Sequence, residues 1–325
     1  MHKKFHLQTE IQQAVTVLQK GGLVAFPTET VYGLGADAKN PEALAKIFWA
    51  KKRPMDHPLI VHLANKQQLK EWVKNIPPVA EQLADSFWPG PLTLIFKKAL
   101  GVADAITGGQ NTIGIRFPSH PTAIMLLQHF GSGLAAPSAN RFGRISPTTS
   151  SAVREELGTT VDMILEGGQC AIGVESTIVD VSNSVPVILR PGMINRTAIE
   201  SVLKQPLLES LQDIPRVSGS HESHYAPMTM TQLVETKTIP SFIENISADD
   251  LPMAFLLLKT KLLPREQIEY VSMSTDPIQY AHDLYFILRE LDKKQYKKII
   301  IESVPANNEW DAIRDRLQRA SRGYV

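Results

Sequence analysis

Four cations stand where elements of the chain end: Lys51 and Arg53 in KKRPMDHPLIVHL, Arg116 in TIGIRFP and Arg190 in ILRPG. Lys51 lies four residues after Ile47 and three after Phe48, on the apolar stripe of its helix rather than opposite it. Arg53 precedes Pro54, which favours an extended backbone and aims the two cations apart. A plain reading exists for such a pair, a cation complementing a helix C-terminus. Two diverging cations beside a polar turn also suit a polyphosphate. In TIGIRFP, strand alternation puts Thr112, Gly114 and Arg116 on one face and Ile113 and Ile115 on the other. An arginine beside a glycine on a strand face suggests a carboxylate or phosphate clamp, against the alternative of a surface ion pair. His62 shares a face with Ile60, and His57 precedes that strand.

Hydroxyls and amides lie close to these cations. LAAPSANRFGRISPT opens from an apolar run into Ser138, Asn140 and Ser146, with Arg141 and Arg144 between them. Loops at strand ends are where open α/β sheets take ligands, although a Ser/Asn-rich turn can be only a turn. VESTIVDV puts Ser176, Ile178 and Asp180 on one face. No Ser-His-Asp order and no paired-carboxylate spacing suggests a hydrolase, so positioning and electrostatic stabilisation of an anionic substrate is the better inference. The run GLGADA matches G-x-G-x-x-A through Gly33, Gly35 and Ala38. It lacks the direct strand–turn–helix context of a dinucleotide site and reads as a plain turn. Cys170 in GGQCAIG reads as a small buried or turn residue, and no Walker A or H-E-x-x-H sequence occurs.

The elements that must position these residues follow from periodicity. Helices are expected over Thr9–Lys20, from Asn40-Pro41-Glu42 to Pro54, over Gln67–Val73, Thr122–His129 and Ser151–Leu157, and from Thr197 to about Leu211. Strands are expected at Leu23–Phe26, Leu59–Leu63, Leu92–Phe96, Thr112–Phe117 and Leu134–Ala136, with a hairpin from Val174–Val181 and Val185–Leu189. Gly, Ser, His and Pro then dominate DIPRVSGSHESHYAP, which reads as a linker. A β/α alternation follows: strands near Met230–Val234, Ala254–Leu258, Tyr270–Met273 and Lys298–Val304, and helices Pro277–Leu291 and Glu309–Ala320. The expected organisation is a catalytic domain over 1–205, a linker over 206–228 and a smaller β/α domain over 229–325.

Composition bounds the rest. The 325 residues are 43% hydrophobic and 21% charged, with formal net charge +1. That is an ordinary globular composition with no global field for nucleic acid. One cysteine excludes intrachain disulfides and multi-Cys zinc sites. The N-terminus shows no signal-peptide pattern and no apolar run approaches the length of a membrane span, so a cytoplasmic location is expected.

In this order, PTETVYGLGADA, KKRPMDHPLIVH, FWPGPLTLIF, TIGIRFPSHP, APSANRFGRISPT, GVESTIVD and ILRPGMI resemble the YrdC-like family. The β/α segment after HYAP makes the chain similar to its long, two-domain threonylcarbamoyl-AMP synthases. The resemblance implies an α/β fold: a YrdC-like twisted mixed sheet with helices, plus a smaller C-terminal Rossmann-like β/α domain. It implies synthesis of L-threonylcarbamoyladenylate from L-threonine, bicarbonate or CO2, and ATP, with magnesium accompanying ATP and pyrophosphate released. The product would serve tRNA threonylcarbamoyladenosine formation, with contact to tRNA or a tRNA-modification complex possible and no membrane partner. By the same resemblance, Lys51, Arg53, Ser138 and Asn140 are catalytic. ATP contacts would be Arg53, His57, Thr112, Ser138, Ser146, Arg190 and, from the linker, Tyr225. Threonine contacts would be Thr30, His62, Arg116, the backbone of Ala136, and Ser176, with no protein-held metal. Long members often carry Lys-Tyr-Arg before HYAP; here His221-Glu222-Ser223 stands there. Two readings compete. A non-enzymatic RNA-binding module is disfavoured by the net charge and the lack of an aromatic-rich basic patch. A carbamoyl transferase of hydrogenase maturation would need zinc-type Cys pairs, which one cysteine excludes.

Overall fold

The computed structural model describes residues 2–183, 185–208, 214–219 and 225–322. The linker residues His221-Glu222-Ser223, His224 and the end of the helix expected to reach Leu211 lie outside them. The chain divides into two compact units, one of 1–142 and 146–220, the other of 143–145 and 221–325. Among the described residues no helix is long and apolar enough to cross a membrane.

The first unit is built on a mixed sheet of β1 (Val24–Phe26), β2 (Gly33–Asp37), β3 (Ile60–His62), β4 (Leu92–Lys97), β5 (Thr112–Arg116), β6 (Leu134–Ala135), β7 (Met163–Ile164), β8 (Thr177–Asp180) and β9 (Val187–Arg190). Their order across the sheet is β7-β1-β2-β6-β3-β5-β4-β8-β9. Helices α1 (His2–Gln19), α2 (Pro41–Lys51), α3 (Pro78–Phe87), α4 (Asp104–Thr107), α5 (Pro121–Phe130), α6 (Ser150–Leu157) and α7 (Arg196–Leu203) complete it.

Alternation gives the sheet two distinct faces. Val61, Leu94, Ile115 and Val179 point into a core shared with Leu44, Ile47 and Phe48 of α2 and Leu83 of α3. On α1 and α5, Ile11, Val15, Leu18, Leu126 and Leu127 form a second cluster with Val24, Phe26 and Leu134. The polar residues of the alternation are therefore left on the opposite face, where the site forms.

Helix α2 starts as its sequence dictates. The Asn40 side chain accepts from the Glu42 and Ala43 amides ahead of Pro41 at the first turn. At its other end Lys52 adopts φ 51°, a left-handed cap. That single residue turns the chain, so Lys51 stays on the buried stripe while Arg53 leaves in another direction.

Two expectations change. GLGAD is not a turn but strand β2, antiparallel to β1 with Val24 opposite Gly35. Glycine is needed there because a Cβ on Gly35 would stand 2.8 Å from Cε1 of Phe26. The helix expected to run on from Thr197 ends at Leu203, where Lys204 takes φ 53°. Gly192, after Pro191, packs its Cα side against β8, where a Cβ would lie 2.3 Å from the Thr177 nitrogen. Backbone cannot yield as a flexible side chain does, so Gly192→Ala is expected to cost about 1–3 kcal/mol. A denaturant midpoint equal to that of the wild type would contradict this packing.

The second unit carries a parallel sheet of β10 (Met230–Val234), β11 (Met253–Leu257), β12 (Ile268–Ser272) and β13 (Lys298–Glu302), in the order β10-β13-β11-β12. Helices α8 (Ile239–Glu244), α9 (Pro277–Lys293) and α10 (Asp311–Ser321) pack with it. The stripe read from the sequence, Ala281, Leu284, Tyr285, Leu288 and Leu291, is the buried face of α9.

Candidate active site

Register places the polar face of the first unit's sheet residue by residue. His62 stands opposite Arg116, Arg116 opposite Thr93, Thr93 opposite Ile178, and Ile178 opposite Arg190. One row across five strands thus carries a histidine, two arginines and a threonine. The next row holds Ile60, Gly114 and Ile95. Gly114 leaves the floor shallow, since a Cβ there would meet Ile95 Cδ1 at 3.2 Å and Ile60 Cγ1 at 3.4 Å.

The arginines of this row are fixed by buried partners. Arg116, 4% exposed, donates from Nη2 to Glu29 Oε1 at 2.6 Å, and the Ser119 amide donates to Glu29 Oε2 at 2.9 Å. Burial pushes the Glu29 carboxyl up, but the Arg116 charge and hydrogen bond outweigh it and hold it below its usual range. The same carboxylate's loop is anchored by its main chain: Ile172 donates to the Glu29 carbonyl at 2.8 Å, and Gly173 to that of Thr30 at 3.1 Å. Within the loop Thr28 Oγ1 donates to the Val31 carbonyl at 2.6 Å and lies 2.8 Å from Thr30 Oγ1. Arg190 donates from Nη2 to the Ser176 carbonyl at 2.8 Å and from Nη1 to the Ser218 carbonyl at 2.9 Å. The Ser176 hydroxyl lies 2.8 Å from that of Thr93.

A second group forms around the α2 terminus. Lys51 is 1% exposed, and its Nζ donates to the carbonyls of Ser138, at 2.5 Å, and of Asn140. Burial, helped by the Arg53 charge, holds its amine well below the usual lysine range. Arg53 donates from Nη2 to the Pro58 carbonyl at 3.0 Å and toward Ser218 Oγ at 3.4 Å. Its guanidinium carbon lies 5.7 Å from the centre of the Phe142 ring, and His57 meets the same ring edge-on at 5.0 Å. Ser146 Oγ donates to Glu175 Oε1 at 2.6 Å. Thr112 is half-buried where β5 begins.

Residues Arg216 to Ser218 lie along this face. Val217 packs on Ile95 and Ile178. Gln110 clasps Arg216 through two main-chain hydrogen bonds, accepting from its amide at 2.7 Å and donating to its carbonyl at 3.0 Å. Ser218 thus offers both its oxygens to arginines, the carbonyl to Arg190 and the hydroxyl to Arg53.

His62 is buried, its Nδ1 3.3 Å from the Ile60 carbonyl, and burial with the nearby Arg116 charge depresses its pKa to about 3. The unfolded histidine takes a proton first as pH falls, near its ordinary 6.5, so stability present above that value is lost below it. Glu29, also depressed, acts in the same direction at lower pH. Stability should therefore fall by about 1.4 kcal/mol per pH unit between 6.5 and 3 from His62. A His62→Gln variant melting with the wild type's pH slope would refute the assignment.

Among the sequence-derived candidates, Thr30, His62, Arg116, Thr112, Ser176 and Arg190 belong to the strand face and its rim. Lys51, Arg53, His57, Ser138, Asn140 and Ser146 cluster at the α2 terminus and the loop after β6. Ala136 uses its amide within the sheet, donating to the Ile60 carbonyl at 2.9 Å, so its carbonyl is what a ligand could meet. Tyr225 belongs to the second unit, stacked 5.9 Å from Tyr285 and 5.0 Å from the Arg316 guanidinium. Sequence reasoning missed Glu29, Glu175, Thr93, Gln110 and Phe142. Strand alternation around Thr93 and the carboxylates of PTET and GVEST were signals available for three of them. Cys170 is buried and its thiol is pushed up to about 12, chiefly by burial, which suits a packing role.

Two family profiles match the chain. One, described as Telomere recombination and covering Sua5, YciO and YrdC, spans residues 16–192, and the other, the threonylcarbamoyl-AMP synthase C-terminal domain, spans 194–322. The threonylcarbamoyl-AMP synthase of Pyrococcus abyssi is 36% identical over 97% of this chain and 94% of its own. The chain belongs to the threonylcarbamoyl-AMP synthase family. The Bacillus subtilis threonylcarbamoyl-AMP synthase is 37% identical with the same coverage. A solved structure of P. abyssi Sua5 complexed with L-threonine superposes with TM-score 0.87 and 35% identity, over 96% of this chain and 94% of that one. The mixed α/β fold with a separate parallel-sheet domain, expected from the family's motifs, is the one observed.

Proposed function

We propose that the protein joins L-threonine, bicarbonate or CO2, and ATP into L-threonylcarbamoyladenylate, releasing pyrophosphate, as a step toward tRNA threonylcarbamoyladenosine. The observation that carries this reading is that Arg116 and Arg190 share one row of the sheet, while Arg53, from the end of α2, meets Arg190 through the two oxygens of Ser218. Arg116 would take the threonine carboxylate, with Thr30, Ser176 and the Ala136 carbonyl around the amino acid. His62, neutral at working pH, would accept or donate a hydrogen bond without adding charge. Arg53 and Arg190 would take the triphosphate, with His57, Thr112, Ser138 and Ser146 around the nucleotide. Ser218 oxygens now sit at both arginines, so the segment Arg216–Ser218 would shift when phosphate oxygens replace them.

The reaction makes a C–N and an O–P bond and breaks an N–H and a P–O bond, the proton passing to solvent. The neutral amine of threonine attacks CO2, forming a C–N bond and losing a proton, which gives a carbamate. A carbamate oxygen then attacks the α-phosphorus, and the bond from that phosphorus to the bridging oxygen breaks to release pyrophosphate. The arginines would stabilise the charge gathering on the phosphate oxygens. Lys51 acts differently from an anion ligand. Its amine holds the Ser138 and Asn140 carbonyls, so it would position the loop that carries their side chains. Among the described residues no cluster of three His, Cys, Asp or Glu side chains could hold a metal ion. Magnesium would arrive with the triphosphate, neutralising part of its charge.

The test is mass detection of threonylcarbamoyladenylate after incubation with ATP, threonine and bicarbonate. Pyrophosphate release that does not depend on threonine would count against this function.

A further inference from the structure

The second unit gathers the C-terminal ends of four parallel strands along one edge, the edge at which open α/β sheets hold phosphate-bearing ligands. An anion already sits there, and it is the chain's own. Glu302, the last residue of β13, is fully buried. Its Oε2 accepts from three successive amides just after β11: Leu258 at 2.7 Å, Lys259 at 3.0 Å and Thr260 at 3.1 Å. Its Oε1 accepts from the Thr260 hydroxyl at 3.0 Å. Among the described residues no lysine or arginine forms an ion pair with it. A buried carboxylate without a cation is costly unless donors replace its water. Here burial raises its pKa, yet the three amide donors hold it below the ordinary range. Consecutive amides aimed at one point form the concave backbone receptor that binds phosphate and other oxyanions elsewhere.

We propose that the turn Leu258–Thr260 is an oxyanion receptor of the second unit, that Glu302 is its built-in occupant, and that an inorganic phosphate takes the same place when the carboxylate is removed. The receptor brings three amides and the Thr260 hydroxyl onto two oxygens, with the Thr236 side chain also bonding the carboxylate. A phosphate offers the same two oxygens on a slightly larger body, and the Cγ methylene and carboxylate lost with Glu302→Ala provide room. While Glu302 is in place, this turn has no vacancy for a phosphate.

The test uses the full chain, as wild type, E302A and E302Q. Thermal melts are run in chloride and in phosphate at matched ionic strength, and exchange of the Leu258, Lys259 and Thr260 amides is followed by NMR or mass spectrometry. E302A should melt several degrees lower in chloride. It should gain saturably more from phosphate than the wild type or E302Q, whose side chains still fill the receptor. Its three amides should exchange fast in chloride and slowly again in phosphate. Any phosphate held by the first unit shifts all three chains alike and cancels in the comparison. Equal phosphate shifts in the three chains would overturn the proposal. So would amides that stay fast in phosphate, or an E302A chain that remains unfolded there. Threonine-dependent pyrophosphate release is read separately, so failure of this receptor and failure of the proposed activity are distinguishable.

Discussion

Arg53→Ala is expected to lower threonine- and bicarbonate-dependent pyrophosphate release by about 10²–10³-fold, the usual effect of removing one well-placed donor to transition-state charge. The expectation follows from where the guanidinium is held. The Pro58 carbonyl fixes one edge, the Phe142 ring supports its face, and Ser218 Oγ lies at the reach of Nη2. A lysine could supply charge but neither the planar fork nor the stacking, so Arg53→Lys should recover little. Because Arg53 is not part of either large apolar cluster, the alanine variant should stay folded, and circular dichroism with a melt checks this. Wild-type turnover in a folded Arg53→Ala chain would remove Arg53 from the chemistry and sink the triphosphate assignment.

Glu29→Gln should act at the other end of the site. The variant keeps the shape of the side chain but withdraws the charge that pins Arg116 at 2.6 Å and accepts from Ser119. Hydrogen bonds between charged buried groups contribute about 1.5–3 kcal/mol. A guanidinium left to reorient would hold a carboxylate less well, so kcat/KM for threonine should fall by about 10–10²-fold. KM for ATP should change little, because Arg53 and Arg190 keep their own partners. The variant should also lose stability, since removing one partner of a buried ion pair leaves a poorly compensated charge. Equal losses toward threonine and ATP would mean that Glu29 merely supports the fold. An unchanged threonine KM would contradict the Arg116 assignment as well.

Much of this site was legible because its residues obey strand alternation. Thr112, Gly114 and Arg116 were readable as one face since Ile113 and Ile115 had to be the other. The helix stripe of α2 gave Lys51 its buried position, and the Arg-Pro step separated Arg53 from it. Strand β2 was not legible, because Gly33, Gly35 and Ala36 have weak strand preference and their reason for being there is the Phe26 ring, distant in sequence. The partners of the arginines were hidden for a related cause. Glu29 and Ser218 lie 87 and 28 residues from the arginines they meet, and nothing local marks such pairs. Lys51 shows a further limit: its position was readable, but its bonding to two carbonyls rather than to an open cleft was not. Tyr225 carried an aromatic signal in the sequence, and only the structure shows its ring between Tyr285 and Arg316.

The strand pairings also govern when this protein can become active during its synthesis. Leu92 of β4 pairs with Thr177 of β8, and Val24 of β1 with Met163 of β7, so neighbours in the sheet leave the ribosome far apart in time. Arg190 arrives later still. Until β7 and β8 emerge, β1 and β4 each wait with one open edge, which favours slow closure and invites aggregation. A nascent chain arrested before β7 should remain sensitive to protease, and one extended past β8 should be less so.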